Sequence, residues 1–296
     1  MLPDSLTVGV VQFKPEWGKV EKNLSATSRV FEDAHEQGCE VVVLPEMWPT
    51  GMYGDMDMRK FWQSIPGKHT DFLAEQALKH SVFVVAGLPE RGAKNALHNA
   101  AVLISPQGKV LAKHRKVHPY SLLGEQKIWT PGNGFTVADS KIGRVGLLVC
   151  YDGDFPESWR ANALMGAEIV FHISAYETPC EEWWEKFYLA ASFQNVLWTV
   201  MCNTVGDTVM NGTPLHFFGR SKIIAPNGET RAQAPNVSPG EEAKTYLLVK
   251  TIDARREFEE ARAKFGNFLS DRRPELYTTI TKMRNRPSAA KTRRRK

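Results

Sequence analysis

The sequence predicts an α/β protein in which two β-sheets pack face to face and are clad with helices. Three observations carry this reading. Short aliphatic runs rich in β-branched residues recur along the chain and alternate with stretches of helical spacing. A strand–Pro-x-Gly–strand unit occurs in each half, around Pro106-Gln107-Gly108 and around Pro226-Asn227-Gly228, a weak internal symmetry that suits a pair of similar sheets. The run from Val145 to Val149, bounded by glycines, reads as a strand buried on both faces, as in the middle of a covered sheet.

Residues 7–13 are short and β-branched and read as the first strand. Residues 23–37 place Leu24, Val30, Phe31 and Ala34 at helical spacing, and Gly38 supplies a stop. A second buried strand, residues 41–46, ends in a carboxylate, Glu46. Residues 71–80 read as a helix and 82–87 as a strand. Residues 99–105 and 110–114 then form a hairpin about Pro106-Gln107-Gly108-Lys109. The basic stretch from Lys113 to His118 leads into a loop, residues 121–134, that contains Glu125. Beyond Cys150, residues 160–165 are helical, 168–174 a strand, 181–195 a long aromatic-rich helix and 198–203 a strand. Residues 218–229 read as strand and turn, and 245–252 as the last long strand.

Composition narrows the function classes. With 296 residues, 42% hydrophobic and 24% charged, the chain is an ordinary globular protein with a sizeable core. No apolar run approaches the roughly 20 residues that span a bilayer, and the first residues lack a basic region followed by an apolar stretch, so a cytoplasmic location is expected. Cys39, Cys150, Cys180 and Cys202 are scattered without metal-binding spacing and are expected to be reduced; no metal or cofactor is implied. Of the net charge of +5, the tail from Arg284 to Lys296 accounts for +7, which leaves the rest at −2 and gives the body no sign of a nucleic-acid surface.

The chemistry centres on Cys150. A thiol between the carboxyl end of a buried strand and a helix start at Phe155-Pro156-Glu157 is a candidate nucleophile, where the helix dipole and free backbone N–H groups favour thiolate and oxyanion. Alone, Cys150 reads more readily as a core cysteine, Glu46 equally as an exposed cap, and the basic stretch as a solvated edge. Together, Glu46, Lys116 and Cys150 supply a base, a cation and a nucleophile, a complete set for acyl transfer from an amide.

These residues lie in Leu44-Pro45-Glu46, His114-Arg115-Lys116-Val117-His118 and Val149-Cys150-Tyr151-Asp152 with Phe155-Pro156-Glu157. Gly219-Arg220-Ser221 with Pro226-Asn227-Gly228 follows. In that order, from about Leu6 to Ile252, the chain resembles the nitrilase superfamily of carbon–nitrogen hydrolases. The resemblance implies a four-layer αββα sandwich with a Glu-Lys-Cys triad. It also implies a homodimer or larger homo-oligomer paired through the helices after the cysteine and glutamate strands. Glu125, six residues before Pro131, matches a second glutamate of the amidase branches that holds the lysine. The backbone N–H of Tyr151 would join Lys116 at the oxyanion.

The resemblance further implies a catalytic domain over residues 1–283, with a closing segment from about 253, and a basic tail over 284–296. Tyr151-Asp152 points to the amidase and carbamoylase branches more than to nitrilases. The favoured substrate is a small aliphatic amide, with an N-carbamoyl compound or a nitrile as alternatives. An inactive-fold binding protein that uses the basic tail, for an acidic partner or nucleic acid, is the reading from another class. Asp154 is expected to cap the following helix, or else to select against anionic substrates. Tyr53, Trp129, Tyr176, Trp183, Trp184 and His216 are candidates for the pocket rim, with Tyr176 and Trp183 favoured.

Overall fold

The computed structural model describes residues 1–52, 57–210 and 212–282. The first half runs β1 (Leu6–Gln12), α1 (Val20–Glu36), β2 (Val41–Val43), α2 (Lys68–His80), β3 (Phe83–Arg91), β4 (Leu97–Ile104) and β5 (Val110–Arg115). The second runs β6 (Thr136–Ser140), β7 (Gly143–Val149), α3 (Pro156–Leu164), β8 (Ile169–Ser174), α4 (Glu181–Asn195) and β9 (Trp198–Asn203). The hairpin β10 (Val205–Met210) and β11 (Thr213–Phe218) follows, then β12 (Lys222–Ile224), β13 (Thr230–Gln233), β14 (Tyr246–Ile252) and α5 (Ala254–Phe265).

Two six-stranded sheets form, in the orders β14-β1-β2-β3-β4-β5 and β13-β12-β9-β8-β7-β6. Each has a parallel centre, β1/β2/β3 in one and β7/β8/β9 in the other, with antiparallel strands outside it. The two Pro-x-Gly turns join equivalent hairpins, β4–β5 and β12–β13. In each the glycine N–H closes the turn, Gly108 onto Ser105 at 2.8 Å and Gly228 onto Ala225 at 2.9 Å. The internal symmetry read from the sequence is thus a symmetry of sheets.

Alternation along the strands decides which side chains meet. Val8, Val41, Val43, Phe83, Val85, Ala101 and Leu103 point into the space between the sheets, against Val145, Leu147, Ile169, Phe171 and Val200 of the second sheet. The intervening Val11, Val42, Val84, Ala86, Val102 and Ile104 face outward, under Leu24, Phe31 and Ala34 of α1 and Leu73 and Ala77 of α2. Trp159 of α3 and Trp184 and Tyr188 of α4 cover the other sheet, which completes the helix–sheet–sheet–helix layering.

The structure departs from the sequence reading in places. The second strand stops at Val43, so Glu46 lies in the turn beyond it rather than at a strand end. Strands β6, β10 and β11 and helix α5 have no counterpart in that reading. The basic tail, 284–296, lies outside the described residues. Among the described residues no helix is long and apolar enough to cross a membrane, and no cluster of His, Cys, Asp and Glu could hold a metal ion.

Candidate active site

The turn after β2 lies flat against β3. Leu44 N–H donates to Val85 O at 2.8 Å, Gly87 N–H to Pro45 O at 3.2 Å and Trp48 N–H to Gly87 O at 3.0 Å. Gly87 permits the contact, since a Cβ there would stand 2.7 Å from Glu46 Cα and 2.9 Å from Pro45 O. Glu46 is thereby held at 1% exposure. Its Oε1 accepts from Asn99 Nδ2 at 2.5 Å and Lys116 Nζ at 3.2 Å. Its Oε2 is buried with no hydrogen-bond partner among the described residues. Burial pushes this carboxyl up against the pull of Lys116, and the charge of Glu125 adds to the push.

Lys116 follows β5 and is fixed through its backbone, donating N–H to Asn99 O and accepting at its carbonyl from Gly132 N–H, both at 2.8 Å. Its Nζ bridges Glu46 and Glu125, at 2.8 Å from Glu125 Oε2. Glu125 is itself buried, and its Oε2 accepts from Tyr120 N–H at 2.7 Å.

Cys150 comes directly after β7 with φ at 48°, the left-handed region that residues with a Cβ seldom adopt. A 3₁₀ turn, Cys150–Asp154, follows, and Pro156 opens α3. The N–H of Tyr151 lies in the first turn, where backbone donors have no intrahelical acceptor. His172 Nε2 donates to Cys150 O at 2.8 Å, and burial holds His172 neutral, down to about 4. The expectation of a favoured thiolate is not met. Burial, then the charge of Glu46, push the Cys150 thiol well above its ordinary range, outweighing the pull of Lys116.

Asp152, in the same turn, joins the two sheets at the site. One oxygen accepts from the N–H groups of Val117 at 3.0 Å and His118 at 2.9 Å and from His118 Nδ1 at 2.9 Å. The other accepts from His114 Nε2 at 3.0 Å and Val149 N–H at 3.3 Å. The Cys150 turn is thus tied to both flanks of Lys116. Asp154 does not cap α3. Phe155 occupies the cap position without a side-chain bond, while Asp154 Oδ1 accepts from the hydroxyls of Tyr176 and of Tyr188, the latter at 2.9 Å.

A pocket opens in front of Cys150. Tyr151, Tyr176 and Trp183 line it, with Leu215 and Phe217 of β11 closing one side. Glu125, Asp154 and Glu177 also line it; Glu46 and Lys116 do not. The cavity is small, about 20 Å³ on the measure in which one water needs roughly 10–15 Å³. Among the other rim candidates, Trp129 packs beneath the Glu125 loop, Trp184 sits in the core and donates to Arg220 O, and His216 is bonded to Asp207 and Val237 O. Tyr53 lies outside the described residues. Sequence reasoning did not single out Asn99, the bonding role of Asp152, or Glu177. The hairpin β10–β11 carried a signal, Asn211-Gly212 between two apolar stretches.

The chain is similar to known carbon–nitrogen hydrolases along most of its length. The family model for carbon–nitrogen hydrolases matches residues 7–258. The chain is 31% identical over 274 residues to a protein named nitrilase from Pyrococcus abyssi, covering 91% of this chain and 98% of that one. It is 28% identical over 269 residues to an omega-amidase of Mus musculus, covering 88% and 92%. Over 231 residues it is 31% identical to a formamidase of Bacillus cereus, covering 76% and 67%. Among solved structures, a carbon–nitrogen hydrolase from Helicobacter pylori superposes with a TM-score of 0.83 at 28% identity, covering 95% of this chain and 99% of that one. A mutant amidase from Nesterenkonia superposes with a TM-score of 0.79 at 23% identity over 95% and 99%, a likeness of fold.

Proposed function

The chain belongs to the carbon–nitrogen hydrolase family, and on that premise we propose that it hydrolyses a small amide through a Cys150 thioester with release of ammonia. The observation that carries this reading is the division of labour on Glu46. One oxygen is occupied by Asn99 and Lys116, and the other is buried, unpartnered and on a carboxyl already pushed upward. That is a general base beside a thiol that cannot ionise unaided.

Glu46 takes the Cys150 proton as Sγ attacks the amide carbon. The oxyanion of the tetrahedral adduct meets Lys116 Nζ and the Tyr151 N–H, each such donor contributing roughly 3–4 kcal/mol in comparable sites. Glu46 then passes its proton to the amide nitrogen, the C–N bond breaks and ammonia leaves. In the second half Glu46 deprotonates a water that attacks the thioester, and its proton returns to the departing sulfur as the carboxylic acid is released. Glu125 keeps Lys116 in place through both steps. The small cavity supports a short acyl group, and the catalytic unit is assigned to residues 1–283.

Ammonia release from short amides, N-carbamoyl compounds and nitriles, compared between wild type and Cys150→Ala, tests the reading. Turnover of an amide that disappears in the variant is expected. Turnover of nitriles alone, or amide turnover that survives the loss of the thiol, overturns it.

A further inference from the structure

The pocket wall is acidic and unbalanced. None of the described residues lining it is basic, whereas Glu125, Asp154 and Glu177 all line it. Glu125 is matched by Lys116 and the Tyr120 N–H, and Asp154 by two tyrosine hydroxyls. Glu177 is different. It is 9% exposed, yet among the described residues the one donor to its carboxylate is its own backbone N–H. Lys116, the cation that reaches it electrostatically, is already spent on Glu46 and Glu125.

The backbone that carries Glu177 is held in place. Glu177 pairs with Phe217 of β11 as an isolated bridge, its carbonyl accepts from Cys180 N–H at 2.9 Å, and Thr178 N–H donates to His216 O at 2.9 Å. The segment is clamped between the β10–β11 hairpin and α4. A carboxylate this buried and this poorly matched is costly unless something supplies donors to it. Tyr151, Tyr176 and Trp183 also line the pocket, and aromatic rings attract cations.

We infer that Glu177 determines specificity, receiving a cationic nitrogen at the far end of a short amide substrate, and that amides ending in a carboxylate are disfavoured. The inference rests on the amidase reading above and deepens it. Its ligand class is an ω-amino amide, held at one end by Cys150 and at the other by Glu177.

A size-matched series tests it: β-alaninamide, butyramide and succinamate, the same length with an ammonium, a methyl and a carboxylate end. Assays run at pH 8, above the value of about 7 to which burial lifts Glu177. Wild type is expected to favour β-alaninamide over butyramide in kcat/KM by about 10- to 100-fold, chiefly through KM, with succinamate lowest. Glu177→Gln brings the ratio of the first two to within about threefold of unity. A wild-type ratio near one, or a ratio that Glu177→Gln leaves unchanged, overturns the inference while the amidase reading stands.

Calorimetric titration of Cys150→Ala with the same compounds separates the two claims. If no amide turns over but β-alaninamide binds at least about tenfold more tightly than butyramide, the amidase reading fails and the Glu177 site survives. Equal binding of the two sinks the site whatever the turnover. Should Glu177→Gln fail to fold, Glu177→Asp, which shortens the reach, is expected to lower the ratio in the same direction.

Discussion

Asp152 and Asp154 share one 3₁₀ turn, and their surroundings send them in opposite directions. Asp152 is completely buried, yet its bonds to His114 and His118 hold its carboxyl well below the ordinary range. Asp154 is less buried, receives two hydroxyls and is pushed up to about 6 by desolvation. Depth is therefore not what sets the ionisation of these carboxylates; the supply of donors is. The turn has a wired side, where Asp152 ties Cys150 to the Lys116 segment, and a pocket side, where Asp154 receives neutral tyrosine hydroxyls.

Breaking the wired side should have the largest effect. Asp152→Ala strands five donors and is expected to destabilise the fold by about 3–5 kcal/mol in urea unfolding, and to abolish turnover in whatever remains folded. Glu125→Gln should leave the fold intact and lower kcat about 10- to 100-fold, because Lys116 loses the charged partner that fixes it. Gly87→Ala drives a methyl into the backbone of Glu46 and Pro45. It is expected to cost about 1–3 kcal/mol of stability and to reduce kcat more than KM is raised.

The smallest effect sharpens the comparison most, because it is a difference in sign. Asp152 has a depressed folded-state pKa, so its contribution is present above the unfolded value of roughly 4 and is lost as pH falls. Asp154 has a raised one, so its folded state favours the proton and loses stability as pH rises from roughly 4 through about 6. Asp152→Asn should therefore fall behind wild type as pH rises from 3 to 5, and Asp154→Asn should gain on it as pH rises from 4 to 7. Unfolding midpoints against pH for the two variants measure this, and parallel curves would end the distinction.

What the sequence disclosed follows the same division. Strands that end in or near Glu46 and Cys150 were legible because aliphatic runs stop abruptly at chemically apt residues, and the Pro-x-Gly turns gave the sheet symmetry. Helix α4, Glu181–Asn195, was placed to the residue. The donor inventory of each carboxylate was not legible, since it depends on partners far away in the chain. Asp152 bonds to residues some 35 positions back, and Asp154 to Tyr188, 34 positions on. Local rules made Asp154 a helix cap and the thiol a favoured thiolate, and tertiary burial overrode both. The β10–β11 hairpin is marked in the sequence by its turn alone, since Asp207 and Thr208 break the apolar alternation of β10, although Leu215 and Phe217 close the pocket.

The site also straddles the sandwich. Glu46 and Lys116 extend from strands of one sheet and Cys150 from the other, with Asp152 spanning the gap. On the proposed mechanism the first half of the chain supplies the base, Glu46, and the cation, Lys116, and the second half supplies the thiol, Cys150. On that mechanism, turnover is then a property of the closed pair: a half-folded chain is expected to be inactive, and the appearance of activity during refolding times the docking of one sheet on the other.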